Sequence, residues 1–240
     1  MMINFKFYNY KTLDSTNNKA GELVKKGYYD VVVIAERQTK GKGRFKRKWF
    51  SDPGGLYMTI SLKADDIDKT KYLTFIAALS VSKTIRKLAR LSALVKWPND
   101  VLIDGRKICG ILTETISGRE NYALIGIGLN INQKTFPESI SNKTTSLKLE
   151  TNKRHNIKKI SESIIKEFNK LYNYYSKKNY GKIINEWKKY SHTLGRKIKA
   201  KTVNKTYIGR AIGIDNDCSL ILRLDNGKIQ KIIEGDIFSV

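Results

Sequence analysis

The apolar positions along this chain fall into several alternating or fully apolar strand-length runs, two long helical stretches and a closing series of short strands. Residues 3–10 alternate with the period of a strand. Asp14-Ser15-Thr16-Asn17 offers N-cap side chains for a helix that ends near Lys26-Gly27. Val31 to Ala35 is a β-branched run short enough for a buried strand, Pro53-Gly54-Gly55 is a turn, and residues 56–62 resume a strand. Between 69 and 91, Tyr72, Phe75, Ile76, Leu79, Ile85 and Leu88 follow the 3.6-residue period of an amphipathic helix. Strands are expected at 93–97, 101–103 and 108–115, the last two joined by the tight-hairpin pair Asp104-Gly105, and again at 121–131. Helices are expected over 161–178 and 182–190. The texture then changes to strands at 197–203, 207–214, 219–224 and 228–233 separated by Asn-, Asp- and Gly-containing turns, the pattern of a small barrel.

Composition narrows the class. A chain of 240 residues, 40% hydrophobic, can bury one large core with a small appendage. It has no apolar run long enough for a membrane span, and Met1 to Lys6 lacks the apolar segment of a signal peptide, so a cytoplasmic protein is expected. Cys109 and Cys218 are too few for a disulfide framework or a zinc site and read as small buried hydrophobes. The net charge of +24, from 46 Lys and Arg against 22 Asp and Glu, favours encounters with anions. The lysines are spread over the whole chain, so charge alone does not specify nucleic acid.

Five segments carry candidate chemistry. Gln38 to Trp49 sets Gly41 and Gly43 among Lys40, Lys42, Arg44, Lys46 and Arg47 and ends on an indole. Such a run is equipped to hold a polyanion bearing a flat ring, although a solvated basic loop reads equally well from this segment alone. It is neither a P-loop nor a G-x-G-x-x-G turn. Asp14 to Asn17 is either a capped helix start or a set of ligand-facing hydroxyls. Lys96-Trp97-Pro98-Asn99-Asp100 ends a strand, and its proline turns the chain outward. Lys107 precedes Gly110 on the returning arm of the hairpin, as a solvent-facing residue or a placed cation. Gly126 and Gly128 interrupt a strand, which marks close approach by a ligand or another backbone.

In this order, the segments resemble biotin protein ligases. The family's Gly-Arg-Gly-Arg-x-x-Arg-x-Trp loop corresponds to Gly41 through Trp49, with Lys42 in place of the first arginine. Its Lys-Trp-Pro-Asn-Asp motif is intact at Lys96 to Asp100, and its Lys-x-x-Gly-Ile-Leu is intact from Lys107. The resemblance implies an α+β catalytic domain like that of class II aminoacyl-tRNA synthetases over 1–192, and an SH3-like barrel over 193–240. It implies ATP-dependent activation of biotin to biotinyl-5′-AMP and transfer to a lysine of a biotin carboxyl carrier domain, with Mg²⁺ on the triphosphate. Arg44 and Lys107 would bracket the carboxylate and phosphate as the catalytic pair, and Arg47 would hold the triphosphate. Trp49 would stack on adenine, Asn130 would bond its edge, and Asp100 would orient Lys107 or assist the metal. Thr16 and Gln38, helped by Ser15, would meet the ureido ring, and Gly41, Gly110 and Gly128 would let backbone lie against the ligand. No protein metal site is expected. The basic loop is expected to fold over the adenylate and to be mobile without it.

Alternatives follow from the same residues. A lipoate or octanoate ligase shares the adenylate logic, but its arginine-rich and Gly-Gly motifs are not matched. A basic nucleic-acid binder would need aromatics among the cations of the barrel, where Tyr207 stands alone between Tyr190 and Phe238. The short form is expected to lack the DNA-binding domain that some members carry. Specific nucleic-acid and membrane partners are not expected, and edge strands of the main sheet are compatible with a homodimer.

Overall fold

The computed structural model describes residues 3–240; Met1 and Met2, which open the expected catalytic region, lie outside the described residues. The chain runs β1 (Lys6–Leu13), α1 (Thr16–Lys25), β2 (Val31–Gln38), β3 (Leu56–Lys63), α2 (Thr70–Ala89), β4 (Ala93–Lys96), β5 (Asp100–Ile103), β6 (Arg106–Ile116) and β7 (Tyr122–Leu129). It continues through α3 (Glu138–Ser141), α4 (Leu147–Thr151), α5 (Ile157–Ser176) and α6 (Tyr180–Lys189), and closes with β8 (Lys197–Lys201), β9 (Thr206–Ile214), β10 (Leu220–Leu224), β11 (Ile229–Ile232) and β12 (Asp236–Ser239).

The first seven strands form one mixed sheet in the order β1-β2-β3-β7-β6-β5-β4, with β1 parallel to β2 and the other pairs antiparallel. Strand alternation decides what each face carries. On one face, Leu56, Met58, Ile60 and Leu62 of β3 and Ile125, Ile127 and Leu129 of β7 join the core around α2, α5 and α6. Phe75 of α2 stacks on the fully buried Trp187 of α6, ring centroids 4.7 Å apart, and burying a large side chain of this kind contributes about 2–3 kcal/mol. The opposite face is covered only in part, by α1 lying over β2, β3 and β7. What α1 leaves open, above β7, β6 and β5, is where a cavity forms.

The second sheet, antiparallel in the order β11-β10-β9-β8-β12, is the expected small barrel. Two contacts fix it to the first sheet near Trp97. Trp97 N–H donates to Thr193 Oγ1 (2.9 Å), and its indole Nε1 donates to the Cys218 carbonyl (2.9 Å). Cys109 and Cys218 are free and buried, and burial pushes both thiols up.

Several boundaries differ from the sequence reading. The expected strand over 3–10 lies three residues further on, and α5 starts at Ile157 rather than 161, because Asn156 Oδ1 accepts the Lys159 N–H at 2.9 Å and caps the helix. At the α1 start Ser15 has the extended N-cap conformation, yet its side chain makes no capping hydrogen bond. Asp104 and Gly105 both take positive φ (46° and 76°), as the two-residue hairpin requires. The helices α3 and α4 and the strand β12 were not read from the sequence.

Candidate functional site

A cavity of about 230 Å³ opens above β6 and β7 between α1, the 38–50 loop and the barrel. Its walls include Ser15, Thr16, Gln38, Arg44, Arg47, Trp49, Asp100, Lys107, Gly110, Gly128 and Asn130, so eleven of the twelve singled-out residues meet at one place. Gly41 is the exception. A Cβ there would lie 2.4 Å from the Trp49 carbonyl and 2.5 Å from Ser51 Oγ. The glycine is demanded by closure of the loop on itself, where Trp49 N–H donates to the Gly41 carbonyl (2.9 Å), and it does not reach the cavity.

One half of the cavity is a chain of buried polar groups. Thr16 Oγ1 and N–H both approach Gln38 Oε1 (3.1 and 2.8 Å), Gln38 Nε2 donates to Ser51 Oγ (2.9 Å), and Ser51 donates to the Trp49 carbonyl (3.1 Å). On the other side, Asn17 Nδ2 donates to Glu114 Oε2 at 2.6 Å. Thr59 Oγ1 lies 2.6 Å from Asn17 Oδ1 and 2.8 Å from Thr16 Oγ1, and its single proton serves one of them at a time. Thr16 and Asn17 are presented by the first turn of α1, Thr59 by β3 and Gln38 by the end of β2. These positions are held by the sheet and one helix rather than by a loop.

Asn17 and Thr59 were not singled out in the sequence. The available signal was Gly126: a Cβ there would sit 2.4 Å from Asn17 Oδ1, so the first glycine of Gly126-Ile127-Gly128 makes room for an asparagine. The second glycine has a different neighbour. Gly128 pairs with Gly110 across β7 and β6, and the Trp49 indole lies on that pair. A Cβ on Gly128 would be 2.4 Å from Nε1, and one on Gly110 would be 3.1 Å from the ring. In this structure both glycines make space for the protein's own tryptophan, and the indole Nε1 is buried without a hydrogen-bond partner.

The other half is cationic. Lys107 Nζ lies 2.6 Å from Asp100 Oδ1 and 5.3 Å from the centre of the Trp49 ring. Across β5 and β6, Asp100 pairs with Gly110 and, past the bulge between Val101 and Leu102, Lys107 pairs with Leu102, so the two charged side chains meet on a diagonal. Lys96 lies close by, its ammonium held below its ordinary value by burial, while Asp100 opposes that shift. Arg44 Nη1 donates to the Asn99 side chain (3.4 Å) and the Gly235 carbonyl (3.1 Å), and Nη2 approaches Glu234 (3.4 Å). Arg47 pairs with Asp236, which raises its already high pKa. Lys42 also borders the cavity, with its ammonium on Asn18 Oδ1 (2.6 Å). Asn130 is buried, with Nδ2 donated to the Thr145 carbonyl (3.0 Å). The barrel residues at this mouth, Glu234 to Asp236, were also missed, because β12 brings them in from the far end of the chain.

Among the described residues no cluster of three or more His, Cys, Asp or Glu is able to hold a metal, and no helix is long and apolar enough to cross a membrane.

Comparison with known proteins agrees along nearly the whole chain. Residues 10–132 match the biotin/lipoate A/B protein ligase family, and residues 193–239 match the biotin protein ligase C terminal domain. The bifunctional ligase/repressor BirA of Bacillus subtilis is 36% identical over 232 residues, covering 94% of this chain and 71% of that one. The biotin--[acetyl-CoA-carboxylase] ligase of Paracoccus denitrificans is 28% identical and covered over 97% of its length. The biotin protein ligase of Aquifex aeolicus in complex with biotin and ATP superposes with a TM-score of 0.86, at 27% identity and 97% coverage of both chains. With a family match spanning half its length and a relative this similar, the chain belongs to the biotin/lipoate A/B protein ligase family.

Proposed function

We propose that the protein is a biotin protein ligase: it activates biotin with ATP to biotinyl-5′-AMP and transfers biotin to a lysine of a carboxyl carrier domain. The observation that carries this reading is the meeting, in one cavity, of a buried hydrogen-bonding wall with Arg44, Arg47 and Lys107. In the first step the biotin carboxylate attacks the α-phosphorus of ATP and pyrophosphate leaves. In the second the acceptor lysine amine attacks the acyl carbon and AMP leaves. Bringing two anions together costs about 4 kcal/mol at 4 Å in a medium of intermediate polarity. Fixed cations aimed at the developing charge offset that cost without reorganising. Lys107, paired with Asp100, and Arg44, both on the cavity wall, would take this role, with Arg47 toward the triphosphate.

Thr16 and Gln38, with Ser15 beside them, face the side of the cavity suited to a ureido group, which needs both donors and acceptors in a confined slot. Asn17 joins them. Asn130 keeps its carbonyl oxygen for an adenine amino group, and the Trp49 face would stack on the base once the indole leaves the glycine floor. Mg²⁺ fits as an escort of the triphosphate, since it commonly keeps its waters and binds through phosphates and one or two carboxylates; Asp100 is the candidate on the protein side. It would neutralise phosphate charge.

The test is exchange of labelled pyrophosphate into ATP with biotin, lipoate or octanoate in parallel. Exchange with biotin alone is expected. Exchange with lipoate instead would overturn the specificity, and no exchange with any of the acids would overturn the activity.

A further inference from the structure

The two arginines assigned to the phosphates are already occupied by anions of the protein itself. Arg47 is paired with Asp236, and Arg44 is shared between Glu234 and the Gly235 carbonyl. Glu234 and Gly235 lie in the turn that leads into β12 and Asp236 is its first residue, which reaches the cavity wall. The turn has little freedom: Gly235 has φ +156°, and a Cβ there would sit 2.6 Å from the Lys201 carbonyl. The loop side is equally defined. Phe45 and Lys46 take positive φ (53° and 58°), Gly43 N–H donates to the Arg47 carbonyl (2.7 Å), and both guanidinium groups lie over the Phe45 ring. With the loop docked on the barrel and Trp49 on the glycine floor, about 230 Å³ remains. Pockets for ligands of drug size typically hold roughly 300–1,000 Å³. The cavity is small beside such pockets and Arg47 and Asp236 both line it, so a nucleotide that enters there meets the arginine pairs.

Resting on the ligase reading, we propose that Asp236 and Glu234 of the barrel are resident anions that latch the basic loop shut and surrender Arg47 and Arg44 to the nucleotide phosphates. The latch is built from exchangeable contacts. Each pair has one exposed partner, Arg47 and Glu234 at 62% each, against a largely covered one, Arg44 at 18% and Asp236 at 22%, and ion pairs that reach solvent on one side are weak enough for a triphosphate to displace. A carboxylate beside each guanidinium competes with phosphate by like charge, so nucleotide binding and loop release are linked. Both ligands gain the site at the cost of the same contacts. The barrel thereby acts on the first half-reaction by positioning the loop, without touching the reacting atoms.

The experiment compares wild type with the Asp236→Asn, Glu234→Gln double variant, both isosteric, in two readouts. Limited trypsinolysis of the free enzyme, mapped by mass spectrometry, reports cuts at Lys42, Lys46 and Lys48 in the loop. Titration with ATP reports affinity. The latch predicts loop cuts about fivefold faster and ATP bound about fivefold more tightly in the variant, with biotin affinity unchanged. A merely electrostatic effect would tighten ATP and leave the loop as protected as in wild type, which overturns the latch. Weaker ATP binding in the variant also overturns it, since the carboxylates would then be helping the nucleotide. The single variants keep the test readable if the double variant unfolds. Biotin-dependent pyrophosphate exchange by the wild type, run alongside, separates the two ideas: its absence sinks the ligase reading, while unchanged loop protection in an exchanging enzyme sinks only the latch.

Discussion

The two halves of the cavity are built by opposite means. Thr16, Asn17 and Thr59 are at most 4% exposed, carried by α1 and β3, and joined through Gln38 and Ser51 in one connected set of hydrogen bonds. Arg44 and Arg47 sit on a loop and are held by ion pairs to the distant barrel. The first half is preorganised, because each buried polar group left without a partner would cost about 1–3 kcal/mol. The second half is exchangeable, because each of its ion pairs has one partner open to solvent and is cheap to replace. A neutral ring that must be recognised by shape suits the first; a charged nucleotide that must come and go suits the second.

The comparison breaks most visibly at its junction. Lys107→Ala should fold normally and lose about 10²–10³ in pyrophosphate-exchange rate, the scale of removing one fixed stabilising donor; wild-type turnover would remove Lys107 from the chemistry. Asn17→Ala strands Glu114 and leaves the Thr59 hydroxyl with Thr16 alone, so unfolding by denaturant should show a loss of about 1–3 kcal/mol, with the KM for biotin up roughly tenfold and that for ATP unchanged. A matching rise for ATP would mean that the two halves are not separate. Trp49→Ala should raise the KM for ATP about fivefold, the low end of what base stacking contributes; a selective loss of biotin affinity would contradict the stacking role. Lys42→Arg should change either KM by no more than about twofold, because the Lys42 ammonium at the cavity rim is engaged by the single acceptor Asn18 Oδ1, which does not need a planar fork.

The polar half was only half legible in the sequence. Asp14-Ser15-Thr16-Asn17 stood out as a helix start, and Thr16 and Gln38 were assigned through the family resemblance, but Thr59 looks like any residue of an apolar strand. Its partners come from α1, forty-odd residues away in sequence. The cationic half was legible as residue types and not as partners. Arg44 and Arg47 announce themselves, whereas Glu234 and Asp236 reach them across more than 180 residues of chain. The glycines were singled out for close approach by a ligand or another backbone, whereas the neighbour at Gly128 is the Trp49 side chain and the constraint at Gly41 is the loop's own backbone. Long, periodic elements such as α2 were readable within a residue or two. The four-residue β12 and the short helices α3 and α4 have too few residues for a period to show.

The most direct measurement is the pair of KM values for biotin and ATP in pyrophosphate exchange, for Thr16→Val and Arg47→Ala beside the wild type. The account predicts a crossed result: Thr16→Val raises the KM for biotin and leaves that for ATP, and Arg47→Ala does the reverse. Both KM values rising together in either variant would contradict the division of the cavity into a biotin wall and a nucleotide wall.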